Sequence, residues 1–135
     1  MFSRKHSKPQ TQIDSLIGAG TTIDGNLSFS GGLRIDGQVN GNVVAAQGKP
    51  STLVLSEHAR VAGEVNVTHL VVNGTINGPV FASEYMELQG KARVTGDVHY
   101  TTMEIQLGAI VEGRLVHNNV AAQDKVVAFK VSGGE

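Results

Sequence analysis

Five histidines, at positions 6, 58, 69, 99 and 117, are the residues of this chain best suited to moving protons. An imidazole changes charge near neutral pH, and a carboxylate beside it can support it as a general base. Only His58 has such a neighbour in the chain, Glu57. Both fall in a polar step between two apolar runs, where two solvated side chains on a turn are the simpler account. The acids Glu57, Glu64, Asp97 and Glu112 show no spacing that pairs them. There is no G-x-x-x-x-G-K-[ST], H-E-x-x-H or G-x-S-x-G, and Gly18 and Gly20 sit in another polar step rather than opening a helix. The chain has no cysteine, which excludes disulfides and thiolate metal sites. The expectation is a protein with no catalytic residue, no cofactor and no metal.

What the sequence does contain is a repeat. A five-residue unit of apolar residue, spacer, Gly, spacer, apolar residue recurs six times. The copies are Ile23/Gly25/Leu27, Val39/Gly41/Val43, Val61/Gly63/Val65, Ile76/Gly78/Val80, Val94/Gly96/Val98 and Val111/Gly113/Leu115. Their glycines are 16, 22, 15, 18 and 17 residues apart. A fixed period just under twenty residues is the mark of a solenoid. Before each unit lies an apolar run ending at Ile17, Ile35, Leu55, Val72, Leu88 or Ile105. Two joins between run and unit are short and bend at Gly37 and Gly74. The other four are six-residue steps whose fourth residue is small: Thr21, Ala59, Ala92 or Ala109. Such a residue suits an inward position near a corner.

Composition agrees. The 135 residues are 40% hydrophobic but 4% aromatic, with 17 glycines and no Trp, so a core built on large rings is not expected. No segment shows sustained helical periodicity. A net charge of −1 argues against a general nucleic-acid binder. No stretch approaches the ~20 apolar residues of a membrane span, and the start lacks the apolar core of a signal peptide. A cytoplasmic location is expected.

In order, residues 1–14 read as a tail. Arg4, Lys5 and Lys8 precede the first acid, Asp14, and Phe2 stands near the start. A solvated leader is the plain account. A weak anchor is the other: cations drawn to anionic lipid and an aromatic side chain at the interface. Residues 15–116 form the coil. Side chains beside each glycine are mostly polar or small, and period two places them outside while the apolar pair points in. Pro79 is awkward there, because a central strand needs its N–H; a place just past a corner would accommodate it. Ala45–Thr52, with Gly48 and Pro50, reads as a loop leaving the second coil. Residues 117–135 read as a second tail, with residues 126–131 apolar enough to cap the last coil.

Each coil alone buries too little, and stacking buries a continuous column. The expected fold is all-β: a parallel β-helix of about six coils, roughly 30 Å long at β-strand spacing. The irregular steps favour the right-handed form. Its ends would expose Leu16, Ile17, Ile23 and Leu27 on one side and Ile105, Val111 and Leu115 on the other, with unpaired strand edges. Gly25, Gly41, Gly63, Gly78, Gly96 and Gly113 would be corner glycines.

The glycine units, S-L-I-G-A-G-T-T-I-D-G-N-L at residues 15–27, and the M-F-S-R-K opening resemble the bactofilin family. The resemblance covers residues 15–116 and the first five. It implies a cytoskeletal protein with a right-handed β-helix core that polymerises without nucleotide into non-polar filaments. It implies binding to the inner face of the membrane through a short N-terminal peptide, onto which Met1, Phe2, Arg4 and Lys5 map. It also implies a role in localising cell-wall synthases or hydrolases, or in cell shape. Pro79 and the second-coil loop depart from the pattern. Two other readings are carried beside it. One is a β-helix acyltransferase with His58 or His69 as base, against which the irregular steps speak. The other is a binding scaffold that does not polymerise.

Overall fold

The computed structural model describes residues 12–118. Val-rich runs punctuated by glycine fold there into fifteen short strands and no helix. Each of six coils takes three runs. The first coil holds β1 (Ser15–Ile17), β2 (Thr22–Asp24) and β3 (Leu27–Phe29), and the second β4 (Gly31–Ile35), β5 (Gln38–Asn40) and β6 (Val43–Ala45). β7 (Ser51–Leu55), β8 (Arg60–Ala62) and the start of β9 (Val65–Val72) make the third. From there single strands bend through one corner. β9, β11 (Val80–Leu88) and β13 (Val98–Ile105) each close one coil and open the next. β10 (Thr75–Asn77), β12 (Arg93–Thr95) and β14 (Ile110–Glu112) lie between them, and β15 (Leu115–His117) ends the sixth coil.

All pairings are parallel. A six-stranded sheet, β14-β12-β10-β8-β5-β2, forms one flank. A nine-stranded sheet wraps the other two, because β9 pairs with β6 through its first residues and with β7 through its last. The result is a parallel β-solenoid of six turns.

Register stacks like on like. Ile23, Val39, Val61, Ile76, Val94 and Val111 form one inward column. Ile17, Ile35, Leu55, Val72, Leu88 and Ile105 form another. Their middle members are fully buried. Burying each such side chain is worth about 1.5–3 kcal/mol. Ala59 and Ala92 are buried, as their small size suggested, Ala109 is half-buried, and Thr21 in the end coil is exposed.

The six repeat glycines stand one above another. A Cβ on Gly96 would lie 2.5 Å from the Gly78 carbonyl oxygen. The same clash recurs between Gly113 and Gly96, at 2.1 Å. Coils can close to strand spacing at this corner only with hydrogen in place of a side chain. One residue further, side chains take over the hydrogen bonding. Asn26 Oδ1 accepts the Asn42 N–H and Asn42 Oδ1 accepts the Glu64 N–H, both at 2.9 Å, and Asp97 Oδ1 accepts the Arg114 N–H at 3.0 Å. Pro79 occupies this row, between Glu64 and Asp97. Its missing N–H therefore breaks no strand pairing, and its carbonyl still accepts from Val65 N at 3.0 Å.

Three boundaries differ from those the sequence suggested. The loop after the second coil is residues 46–50 only. Ala45 ends β6, while Ser51 and Thr52 are buried in β7. Thr68 holds Ser51 there: its Oγ1 accepts the Ser51 N–H at 2.7 Å and donates to the Ser51 carbonyl at 2.7 Å. At the N-terminal side, residues 12–14 already lie along the second coil, with Asp14 N donating to Gly32 O and Gly32 N to Asp14 Oδ2. At the other end, Asn118 N still donates to Tyr100 O, at 2.6 Å.

Candidate assembly surface

A solenoid's sites of interest are its flanks and its two ends. The flanks hold every candidate for chemistry among the described residues, and each has a structural occupation. Glu57 and His58 sit on an exposed turn with the imidazole Nε2 3.7 Å from the carboxylate. The same carboxylate lies 3.5 Å from Lys91 Nζ. His99 stacks on Phe81 with ring centroids 4.5 Å apart. His117 Nε2 lies 3.0 Å from the Thr101 carbonyl oxygen. His6 lies outside the described residues.

His69 is the exception in being buried. Its Nδ1 lies 2.9 Å from Thr68 Oγ1 and its Nε2 3.7 Å from Glu84 Oε1. Hydroxyl, imidazole and carboxylate in that order invite comparison with a nucleophile–base–orienter triad. The hydroxyl has one proton, however, and gives it to the Ser51 carbonyl. Nδ1–H must then be the donor to Oγ1, which places the ring in the wrong tautomer to take a proton from Thr68. The group is a brace that locks the third and fourth coils together at the loop. No cluster of three or more metal-ligating side chains occurs among the described residues.

Four charged or phenolic groups among the described residues have shifted acidities, all explained locally, and one of them, Arg114, is raised by its bond to the Asp97 carboxylate. The Arg114 guanidinium and backbone N–H hold the Asp97 carboxyl below its ordinary value. At Asp36 desolvation pushes up, but hydrogen bonds from Ser56 and Arg34 outweigh it and the net shift is down. Tyr85 donates to Glu104 at 2.6 Å, and this, with desolvation, raises its phenol.

The ends are different in kind. Among the described residues, each terminal strand is hydrogen-bonded along one edge only. The large apolar side chains that stay exposed among the described residues are Ile13, Leu16, Ile105, Leu107, Ile110 and Leu115. Every one lies in, or directly beside, the first or last coil. Leu16 is 61% exposed, Ile105 53% and Leu115 47%. Ile105 and Leu115 continue the inward columns above Leu88 and Val98. Ile17 is buried, and Ile23, Leu27 and Val111 are half-buried. Leu16 stands apart from the columns, because it pairs with outward-facing Arg34. Leu107 and Ile110 did not stand out in the sequence. Leu107 is 98% exposed on a turn where the other coils place Ala19, Glu57 and Gly90. A large apolar residue at this turn of the last described coil is the signal that would have found it. Met1, Phe2, Arg4, Lys5 and Lys8, and residues 126–131, lie outside the described residues.

Comparison with known proteins agrees with this geometry. The family model described as "Bactofilin: Polymer-forming cytoskeletal" matches residues 15–116. Bactofilin BacP of Myxococcus xanthus is 27% identical over 116 residues, 85% of this chain and 47% of that protein, so the chain spans about half of it. Bactofilin BacO of the same organism is 26% identical over 76% of this chain and 78% of that protein. Among solved structures, the bactofilin of Thermus thermophilus in double helical filaments superposes with a TM-score of 0.64 at 25% identity, covering 77% of this chain and 99% of that one. With the repeat, the six-turn solenoid and the open apolar ends already in view, the chain belongs to the bactofilin family of polymer-forming cytoskeletal proteins.

Proposed function

We propose that this chain is a structural, non-catalytic subunit that stacks end to end, without nucleotide, into filaments on the inner face of the cytoplasmic membrane. There it scaffolds cell-wall enzymes or cell-shape machinery. The observation that carries the assembly step is the confinement of exposed large apolar side chains to the two ends. Joining ends buries them and pairs free strand edges, so apolar burial and backbone hydrogen bonding drive assembly with no chemical energy input. Like ends meeting like ends is the arrangement the family resemblance suggests, and it gives a filament without polarity. The filaments of the Thermus relative are double helical, and two strands lying side by side is the arrangement proposed here too.

The membrane step is supported by composition. Arg4, Lys5 and Lys8 with Met1 and Phe2 form a short basic, apolar-tipped leader. Each cation contributes about 1 kcal/mol at an anionic surface, too little for one copy. Many copies on one filament multiply it.

Electron microscopy of the purified protein in nucleotide-free buffer tests the assembly step, and filaments are expected. Dispersed monomers at all concentrations would end the reading. Co-sedimentation with anionic liposomes tests the leader. Deleting residues 1–8 should release the protein while filaments persist, and high salt should weaken binding of the full chain. Equal pelleting of both forms would reject the leader as anchor.

A further inference from the structure

The flank made by β1, β4, β7 and the later halves of β9, β11 and β13 carries an ordered outward row. From first coil to last it reads Leu16, Arg34, Val54, Val71, Glu87, Glu104. The row is basic in the second coil, apolar in the third and fourth, and acidic in the fifth and sixth. Beside it runs a second row, Asp36, Ser56, Asn73, Gln89, Gln106, stacked by bonds from each backbone N–H to the coil before.

Place two copies with these flanks together and their coil axes antiparallel. A two-fold axis in the contact plane, level with the gap between third and fourth coils, reverses the coil order of each row. Val54 then meets the partner's Val71. Arg34 meets the partner's Glu87, since each stands one and a half coils, about 7 Å, from the axis. In the second row Ser56 meets the partner's Asn73 and Asp36 the partner's Gln89. The opposed pairs of the four central coils are apolar with apolar, charge with opposite charge, or donor with acceptor, and in the end coils Leu16 meets the partner's Glu104, which sets no like charges together. Arg34 can take part without loss, because its 2.9 Å contact with Asp36 occupies one of five guanidinium donors. A parallel pairing would instead set Arg34 on Arg34, Glu87 on Glu87 and Glu104 on Glu104.

The other flanks lack this property. On the six-stranded sheet, reversing the row Asp24, Asn40, Ala62, Asn77, Thr95, Glu112 brings Asp24 onto Glu112, two like charges. The remaining flank, with Ser28, Val44, Asn66, Phe81, His99 and Val116 outward, has no permanent charge in its row to set a register.

We propose that the Arg34–Val54–Val71–Glu87 flank is the surface through which two filaments of this chain lie side by side, with facing subunits antiparallel. The proposal rests on the end-to-end reading and adds the lateral face and its register. A filament whose subunits alternate in direction already has two-fold axes across it, so the contact repeats along its length. A weak contact at each subunit becomes a firm one over many.

The test is charge reversal scored by strand number in negative-stain micrographs, on full-length protein. Wild type should show paired strands. Arg34→Glu and Glu87→Arg should each give single strands of unchanged length. The double variant carrying both changes should restore pairing, because the opposed charges are exchanged rather than lost. Single variants that stay paired, a double variant that stays unpaired, or a wild type of single strands would each overturn the proposal. Wild-type protein without any filaments would overturn the end-to-end reading and this contact with it, an outcome told apart by the absence of strands rather than by their number.

Discussion

At Gly96 the backbone turns with φ 137°, and a Cβ would sit 2.5 Å from the Gly78 carbonyl oxygen. Gly25 has almost the same φ, 134°, but open space around its missing side chain. The two separate strain from crowding. Both Gly25→Val and Gly96→Val suffer the strained φ, about 1–3 kcal/mol. Only Gly96→Val must also push two coils apart, adding roughly 1–3 kcal/mol. Thermal melting should therefore place Gly96→Val clearly below Gly25→Val; equal melting temperatures would mean that coil spacing does not depend on the bare corner. Asp97, at the next position, tests the side-chain row. Its folded acidity is shifted down by Arg114, so its ion pair stabilises above the ordinary carboxylate value near pH 4 and is lost as pH falls through the folded one. Asp97→Asn keeps the acceptor for Arg114 N–H, as Asn26 and Asn42 show, and loses only the charge. The variant should melt slightly below wild type at pH 7 and level with it near pH 2. A gap that persists in acid would mean the carboxylate acts by something other than its charge.

The loop of residues 46–50 is the one long break in an otherwise regular winding, and the chain re-enters the coil at Ser51. Thr68 Oγ1 satisfies both Ser51 backbone groups, and Ser51 Oγ accepts Thr68 N–H at 3.1 Å. Thr68→Val keeps the shape and leaves the Ser51 N–H and carbonyl short of a partner, at a cost of about 1–3 kcal/mol. Hydrogen exchange should read it as faster exchange at Ser51 and Thr52, with the six-stranded sheet unchanged; unaltered protection would show that the loop is held elsewhere. The strands and corner glycines were legible in the sequence because each is a local pattern: alternation of two residues, and a glycine with apolar residues two positions to either side. The brace at Ser51 was not, because its partner is 17 residues away and becomes a neighbour only once the coil length is known. Polarity pulled Ser51 and Thr52 into the loop by composition, while tertiary pairing with β9 made them strand. Pro79 was legible as a problem but not as a solution, since the row of side-chain acceptors that makes its N–H dispensable is a property of stacked coils. The charge order Arg34, Glu87 is in the same position: the residues are 53 apart in number, and only the register makes them members of one row.

At the scale of the whole molecule, the solenoid is a rod whose middle is closed and whose ends repeat its interior. Ile105 and Leu115 sit where Leu88 and Val98 sit one coil earlier, yet they are half-exposed where those are buried. In a monomer an arginine at either site reaches solvent, so the fold should tolerate it. In a stacked pair of ends the same charge would be stripped of water with no partner, which costs several kcal/mol. Ile105→Arg and Leu115→Arg should therefore give short species joined through the unaltered N-terminal end, with strand-rich circular dichroism retained and no filaments in micrographs. Leu107 supplies the contrast. It is almost fully exposed on a turn outside the columns, so Leu107→Arg reports whether the interface extends beyond the column itself. If Leu107→Arg blocks filaments as fully as Leu115→Arg, the two ends meet over the turn as well as the core. If it does not, the column alone is the contact. Long filaments from both column variants would remove the C-terminal coil from the assembly surface. Sedimentation velocity separates that result from misfolding, because an unfolded variant loses its compact frictional ratio and its circular dichroism together, whereas a blocked one loses only its length.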